Sequence, residues 1–327
     1  MGINLGALAN RGQLPRVSVT LAPPNNQCQF VNPGGGTPAD RGSIGFPNGC
    51  ESDMTQRTYP QGVPCWIDTE QPDVGAAAVF YGGLFGWTFE EAMPHGAPGT
   101  YLIAKLDGRD VGGMSGIREG CAAWNTYVSV ADADAAVQRL ASAGATVRSA
   151  PSDAGEGGRG AALTDPQGTE FRIWQAKRRL GAQVVNLPGS WNFSDLHTSD
   201  THGAMAFYRD AFGWQTDDLG FATLIRRPGY GDHLEATIDP DIRARQSGLS
   251  PHGFEDAIAW VAAAAVNEPS HWHVSFTVAD RDAAAAEATR LGAQVIAQDD
   301  SEWTRTALIR DPQGAEFTAS QFTPPSG

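Results

Sequence analysis

At 327 residues the chain has the length of about two ordinary domains. Its formal net charge of −14, with no basic cluster beyond Lys177–Arg179, leaves no face for nonspecific phosphate binding, so no nucleic-acid partner is expected. The longest apolar run, Ala257–Val266, is far too short to span a bilayer, and no membrane partner is expected. The four cysteines, Cys28, Cys50, Cys65 and Cys121, form no CxxC pair, which argues for reduced thiols in a cytoplasm over a disulfide framework or a structural zinc site. The N-terminus lacks the basic region and apolar core of a signal peptide, and MGINLG carries Gly6 where an N-myristoylation start wants Ser or Thr.

The first sixty residues or so are rich in Gly, Pro and Asn and show no apolar period, so they bury too little to offset their ordering entropy. Met54 opens the segment before the first periodic stretch and makes a natural start. Residues 1–53 read as an upstream extension, and 1–61 as flexible.

Gly62–Glu70 alternates and predicts a strand. Asp73 caps a helix that runs to Gly86. Thr100–Met114 predicts two strands about an Asp107-Gly108 hairpin turn, and Trp124–Ala131 another strand. Asp132 caps a second helix ending at Gly144, and two further strands flank a Pro166-Gln167-Gly168 turn. The same order returns after a linker at 177–189. FYGGLFGW (Phe80–Trp87) recurs as FYRDAFGW (Phe207–Trp214), Val130–Val147 recurs as Val278–Val295, and LTDPQGTEF (Leu163–Phe171) recurs as IRDPQGAEF (Ile309–Phe317). Three matching blocks in one order mean one folding unit used twice, over 62–176 and 190–322, with a short tail at 323–327. The second copy is longer, and its extra length falls within Gly229–Trp260, as a lid, a contact segment or a surface excursion. GEGGRG (Gly155–Gly160) matches a dinucleotide fingerprint but leads into a strand instead of opening a helix, so it reads as a flexible connection.

FYxxxFGW after a first strand, VADxDAA before a second helix and DPQG before a last strand together resemble the vicinal oxygen chelate superfamily, the glyoxalase, bleomycin-resistance and extradiol dioxygenase group. With WNTY and HWHV added, the pattern is similar to mycobacterial antigen-type tandem glyoxalase-like proteins and to actinobacterial relatives described as hydroxylases. The resemblance implies an α+β fold of two fused glyoxalase-like units. Each is expected to pair two βαβββ half-modules whose curled mixed sheets, four strands apiece, enclose a cleft. It also implies metal ligands at three points: first strand, fifth strand and last strand. Those points are Trp66, Asn125 and Arg172 in the first unit, and Phe193, His273 and Thr318 in the second. His273 alone is a usual ligand, so the family's metal site is not expected and no cofactor is predicted, although a divalent metal at a divergent site stays open.

Strand alternation places Trp66, Asp68 and Glu70 on one face, and Phe193, Asp195 and His197 on its counterpart. Asp68, Glu70, Asp195, His197 and His273 are therefore expected to converge in a cavity as acid, base or ligand groups, or as a polar network that satisfies itself. His271 alternates with His273 across Trp272, and His233 with Glu235 reads as a surface or mouth feature. Several of the tryptophans are expected to line a pocket for a planar ligand. Three functions stay open: a protein that binds a small organic molecule without the usual metal, a divergent lyase, isomerase or oxygenase, and a non-catalytic interaction or antigen-like protein. A monomer or a homodimer is expected.

Overall fold

The computed structural model describes residues 56–96, 98–117, 120–219, 222–247, 250–301 and 303–323. The expected extension over 1–53 and the end of the tail lie outside these residues. Residues 56–61, expected to belong to the flexible extension, are instead held on the linker. The Arg57 N–H donates to Gln183 Oε1 (2.9 Å), and Tyr59 Oη donates to the Ala182 carbonyl (2.6 Å).

The first unit runs β1 (Pro64–Gln71), α1 (Val74–Phe85), β2 (Thr88–Glu91), β3 (Tyr101–Leu106), β4 (Arg109–Gly116), β5 (Ala123–Ser129), α2 (Ala133–Ser142), β6 (Thr146–Ala154), β7 (Gly158–Thr164) and β8 (Glu170–Ala176). The second runs β9 (Trp191–Thr198), α3 (Thr201–Phe212), β10 (Gln215–Asp218), β11 (Thr223–Arg226), α4 (Tyr230–Thr237), α5 (Ile242–Gln246), β12 (Ala257–Ala263), β13 (His271–Thr277), α6 (Arg281–Arg290), β14 (Gln294–Asp300), β15 (Thr304–Arg310) and β16 (Glu316–Phe322). The helix signals act as read. Asp73 and Asp132 accept from the N–H groups of Ala76 and Ala135, and Gly86 closes α1 in the left-handed region.

Each unit forms one continuous eight-stranded mixed sheet, ordered β2-β3-β4-β1-β5-β8-β7-β6 and β10-β11-β12-β9-β13-β16-β15-β14. The expected separate four-stranded sheets merge because the first strands of the half-modules, β1 with β5 and β9 with β13, pair antiparallel at the centre. The extra length of the second unit folds as α4, α5 and a 3-10 turn at Phe254–Asp256, which seats Phe254 against Phe193 and Trp260.

The two cores are shared between units. Phe80, Tyr81, Phe85 and Trp87, from α1 and the residues after it, pack with Phe276 and Phe317 of the second unit. Phe207, Tyr208, Phe212 and Trp214 pack in return with Phe171 and Leu140 of the first. Polar bonds follow the same exchange. Trp87 Nε1 donates to the Gly189 carbonyl (2.7 Å) and Trp214 Nε1 to that of Gly62 (2.6 Å). Both glycines have left-handed φ, and a Cβ on either would stand 2.9 Å from a carbonyl oxygen of the opposite unit, so no side chain fits there.

Tyr81 Oη donates to Asp311 Oδ2 (2.9 Å), as does Gln71 Nε2 (2.8 Å). In the mirror position Tyr208 lies beside Asp165. Burial and that carboxylate push its phenol well above the usual range, but its contact with Asp165 is looser, leaving Asp165 Oδ2 outside hydrogen-bond geometry, and its one formed side-chain bond is accepted from Trp272 Nε1 (3.3 Å). Trp124 Nε1 also donates to Tyr81 Oη (3.2 Å). Removing the Tyr81 hydroxyl therefore breaks two buried bonds. Tyr81→Phe is expected to lower stability by roughly 1–3 kcal/mol, and Tyr208→Phe by clearly less, as read from urea unfolding midpoints. Equal losses would show that the Tyr81–Asp311 bond contributes nothing of its own.

Candidate functional site

Thr126 of β5 bonds Ser194 of β9 across the interface (2.8 Å), so these residues face the other unit. Their strand neighbours Asn125 and Asp195 point the opposite way. The faces carrying Asp68 and Asp195 are therefore turned away from each other. The five expected residues do not converge on one cavity: Asp68 and Glu70 stay in the first unit, and Asp195, His197 and His273 in the second.

The first face is closed by its own side chains. Asp68 is fully buried and accepts from Tyr127 Oη (2.5 Å), Asn125 Nδ2 (2.9 Å), Tyr101 Oη (3.0 Å) and Arg172 Nη1 (3.4 Å). Arg172 Nη2 donates to Glu70 Oε1 (2.6 Å), and Trp66 Nε1 donates to Tyr101 Oη (3.0 Å). Tyr101 lies over Gly113, where a Cβ would stand 2.3 Å from its hydroxyl oxygen. Burial, and then the Asp68 charge, hold both phenols well above their usual range. Burial opposes the Arg172 charge, but Asp68, Tyr127 and Glu70 outweigh it. The guanidinium fixed at the last-strand point offers no lone pair to a metal and sets a positive charge there.

The second face replaces this filling with smaller groups. Register places Asp195 opposite His273, and Ser275 beside both Phe193 and Thr318. Ser275 and Thr318 thus stand where the first unit has Tyr127 and Arg172, and His273 stands where it has Asn125. Asp195 loses the donors that Asp68 enjoys. Its Oδ1 and the Ser275 Oγ are buried without a hydrogen-bond partner. Burial pushes the Asp195 carboxyl up to about 7, against a contact with the Trp260 backbone that lowers it. His273 Nε2 pairs with Thr318 Oγ1 (2.8 Å).

Three imidazoles gather at the outer end of this face. Ring centres of His197, His271 and His273 lie 4.9 to 6.0 Å apart. Glu268 joins them from the loop before β13. Its Oε1 lies 3.2 Å from His197 Nδ1 and 3.8 Å from His271 Nε2, and its Oε2 accepts from the Ala265 N–H (2.7 Å). Burial alone would raise the Glu268 carboxyl, but the Ala265 N–H and the two histidines hold it below its usual range. His271 Nδ1 donates to the Pro269 carbonyl (3.0 Å), which fixes the ring with its Nε2 toward Glu268.

Ligand atoms of His197, Glu268 and His271 all lie within 4.8 Å of one another. Two imidazoles and a carboxylate with an outer-shell bond on one ring suit a divalent zinc, iron or manganese ion. The six family points do not, since His273 is the one usual ligand among them. Sequence reasoning missed Glu268, whose signal was an acid three residues before the His271–His273 pair. It also missed Tyr101, Tyr127 and Ser275, whose roles depend on register. His233, read as a mouth feature, lies on helix α4 and pairs with Thr58, while Glu235 pairs with Arg243.

The profile of the glyoxalase-like domain matches residues 66–174 and again 192–320. The chain is 34% identical over 275 residues to "Putative glyoxylase CFP32" of Mycobacterium tuberculosis, covering 81% of this chain and 97% of that protein. It is 32% identical over 281 residues to the anthracycline biosynthesis protein DauV of a Streptomyces species, covering 81% and 94%. Among solved structures, a Mn(II)-bound glyoxalase from Novosphingobium aromaticivorans superposes with a TM-score of 0.54 at 14% identity, over 82% of this chain and 83% of that one. The 2,3-dioxygenase LapB of a Pseudomonas follows at 0.52 and 13%, over 82% and 93%. At these identities the two structures speak for the fold.

Asp195 gives a signed test. Between about pH 4 and about 7 the folded chain keeps a proton that the unfolded chain has lost. Stability contributed through this group therefore falls as pH rises through that window, and the penalty is complete above about 7. Asp195→Asn is expected to melt higher than the parent above pH 7, with the difference closing as pH falls toward 4. A pH-independent difference would show that the carboxyl is ionised throughout. Asp68→Asn is expected to be destabilising, because an amide cannot accept from all four of its donors.

Proposed function

Because the chain belongs to the glyoxalase-like family, with both of its units matching, we propose that it binds a small organic molecule on the outward face of its second sheet, the face that carries Asp195. The carrying observation is the contrast between the units. Asp68 is saturated by Tyr101, Asn125, Tyr127 and Arg172, whereas Asp195 and Ser275 keep buried polar atoms without partners. Such atoms cost free energy unless a ligand engages them. Phe193, Phe254 and Trp260 supply apolar and aromatic wall beside them. Relatives named for a glyoxylase and for anthracycline biosynthesis support an organic metabolite as the ligand class. Binding on this reading uses no metal at the family's usual points, and the first unit serves as the structural partner of the second.

A carboxyl group near 7 both donates and accepts protons at neutral pH, and His273, opposite it and fixed by Thr318, offers a second titratable group. This supports a second reading, a divergent lyase, isomerase or oxygenase acting at the same face. The His197–Glu268–His271 cluster favours it further. Those three residues would hold a divalent ion, whose contribution there is Lewis acidity toward a substrate oxygen.

Ligand-induced thermal stabilisation against a panel of planar oxygenated metabolites separates the readings. A responding metabolite is expected to lose its effect in Asp195→Asn and His273→Ala, while both variants still fold. Its affinity is expected to change over about one pH unit either side of 7 in the parent but not in Asp195→Asn. Variants that lose stability yet keep the full ligand response would leave only a polar packing network at this face. Metal analysis of protein purified without chelators tests the second reading. Stoichiometric zinc, iron or manganese lost in His197→Ala and His271→Ala supports it, and metal retained in both refutes the triad.

A further inference from the structure

A cavity of about 130 Å³ lies at the opposite end of β9 from the histidines, between the α4–α5 segment, the linker and residues 57–64. Trp191 and His197 are six residues apart on one strand, so roughly 20 Å separates the two places. The cavity is comparable in size to an apolar cavity of about 150 Å³ that holds benzene. Its wall is unusual in carrying many polar atoms with nothing to bond. Arg57 Nε, Trp191 Nε1, Asn186 Oδ1, Asn192 Oδ1 and both amide atoms of Gln246 are buried and without hydrogen-bond partners. Gln246 is only 9% exposed, and Asn186 holds a left-handed φ of 63° that a non-glycine residue rarely adopts.

The amides can present either oxygen or N–H by turning over, so they accept either polarity of ligand. The Arg57 guanidinium and the Trp191 indole cannot: both are donors only. Among the described residues, no carboxylate lies within ion-pair distance of Arg57. Its Nη2 donates to Tyr230 Oη (3.0 Å), and its guanidinium lies 5.5 Å from the Tyr59 ring. The other charges along the wall are compensated, Arg245 by Asp239 and Glu255 by Arg243. Among the described residues this leaves one half-buried cation, its Nε buried, facing the space.

We propose that this cavity is a second binding site, taking a small planar carboxylate of about benzoate size. The carboxylate meets Arg57, and the ring lies among the aliphatic side chains of α4 and α5. The amides of Gln246, Asn186 and Asn192 read polar substituents on the ring. The site depends on the extra length of the second unit, since the first unit has no counterpart of α4 or α5 among its described residues. It adjoins the Asp195 face, since Phe193 lines both, but uses a different set of polar groups.

Benzoate titrated into the full-length chain, followed by calorimetry and thermal shift, tests this, with benzamide as the neutral isostere. Saturable benzoate binding at least tenfold tighter than benzamide is expected. Arg57→Gln should remove that preference. Gln246→Leu should weaken benzoate by a similar factor while leaving the unliganded melting temperature unchanged or raised, because it removes two unsatisfied buried atoms. A purely structural glutamine would instead give a lower melting temperature. Equal binding of benzamide, no binding of benzoate, or benzoate binding abolished by Asp195→Asn but retained in Gln246→Leu would each overturn the proposal.

Discussion

The exchange of first helices between units is the constraint on which the rest depends. An eight-stranded sheet with helices on one side must bury that side, and here each unit does so with the aromatic side chains of the other. Tyr81, Phe85 and Trp87 fill the second unit's core, while Tyr208, Phe212 and Trp214 fill the first's. Neither unit keeps a complete core when the other is removed, so the two are expected to unfold together. The same exchange fixes orientation. Once the inner faces are committed to the shared cores, strand alternation turns Asp68 and Asp195 outward on opposite sides.

Duplication then leaves the two outer faces free to diverge. In the first, Tyr127 and Arg172 reach back to Asp68 and Glu70 and fill the face with paired groups. In the second, Ser275 and Thr318 are too short to do so, and the aspartate stays buried with one oxygen unmet. Small hydroxyls in place of large donors thus turn a sealed network into a face with unmet buried polar atoms. The Phe254 turn supplies the wall that keeps this aspartate out of water and so raises its pKa. The insertion acts at both ends of β9: it shields the Asp195 face and encloses the cavity at Arg57.

The fold was legible because its signals are local and were printed twice. Asp73 and Asp132 at helix starts, Gly86 at a helix end and Asp107-Gly108 between strands each act through backbone geometry within a few residues. The copied blocks required a repeated unit whatever the tertiary arrangement. Strand alternation also put Asp68 with Glu70 and Asp195 with His197 on shared faces, but not the direction of those faces, which were expected to meet in one cavity. The end of the flexible segment was misplaced by several residues because Arg57 and Tyr59 are held by Gln183 and Ala182, residues far away in the sequence.

The sequence by itself therefore determined most of the elements and their order, though not β2, β6, α4 or α5, together with the family and which side chains share a strand face. Tertiary structure alone decided that the two faces point apart, that Asp68 is saturated while Asp195 is not, and that Glu268 joins His197 and His271. Each of these rests on register between strands far apart in the chain, or on where a loop returns. The physical reason is that hydrogen-bond partners and desolvation are properties of a neighbourhood, and neighbours such as Arg172 for Asp68 are set by packing across more than a hundred residues.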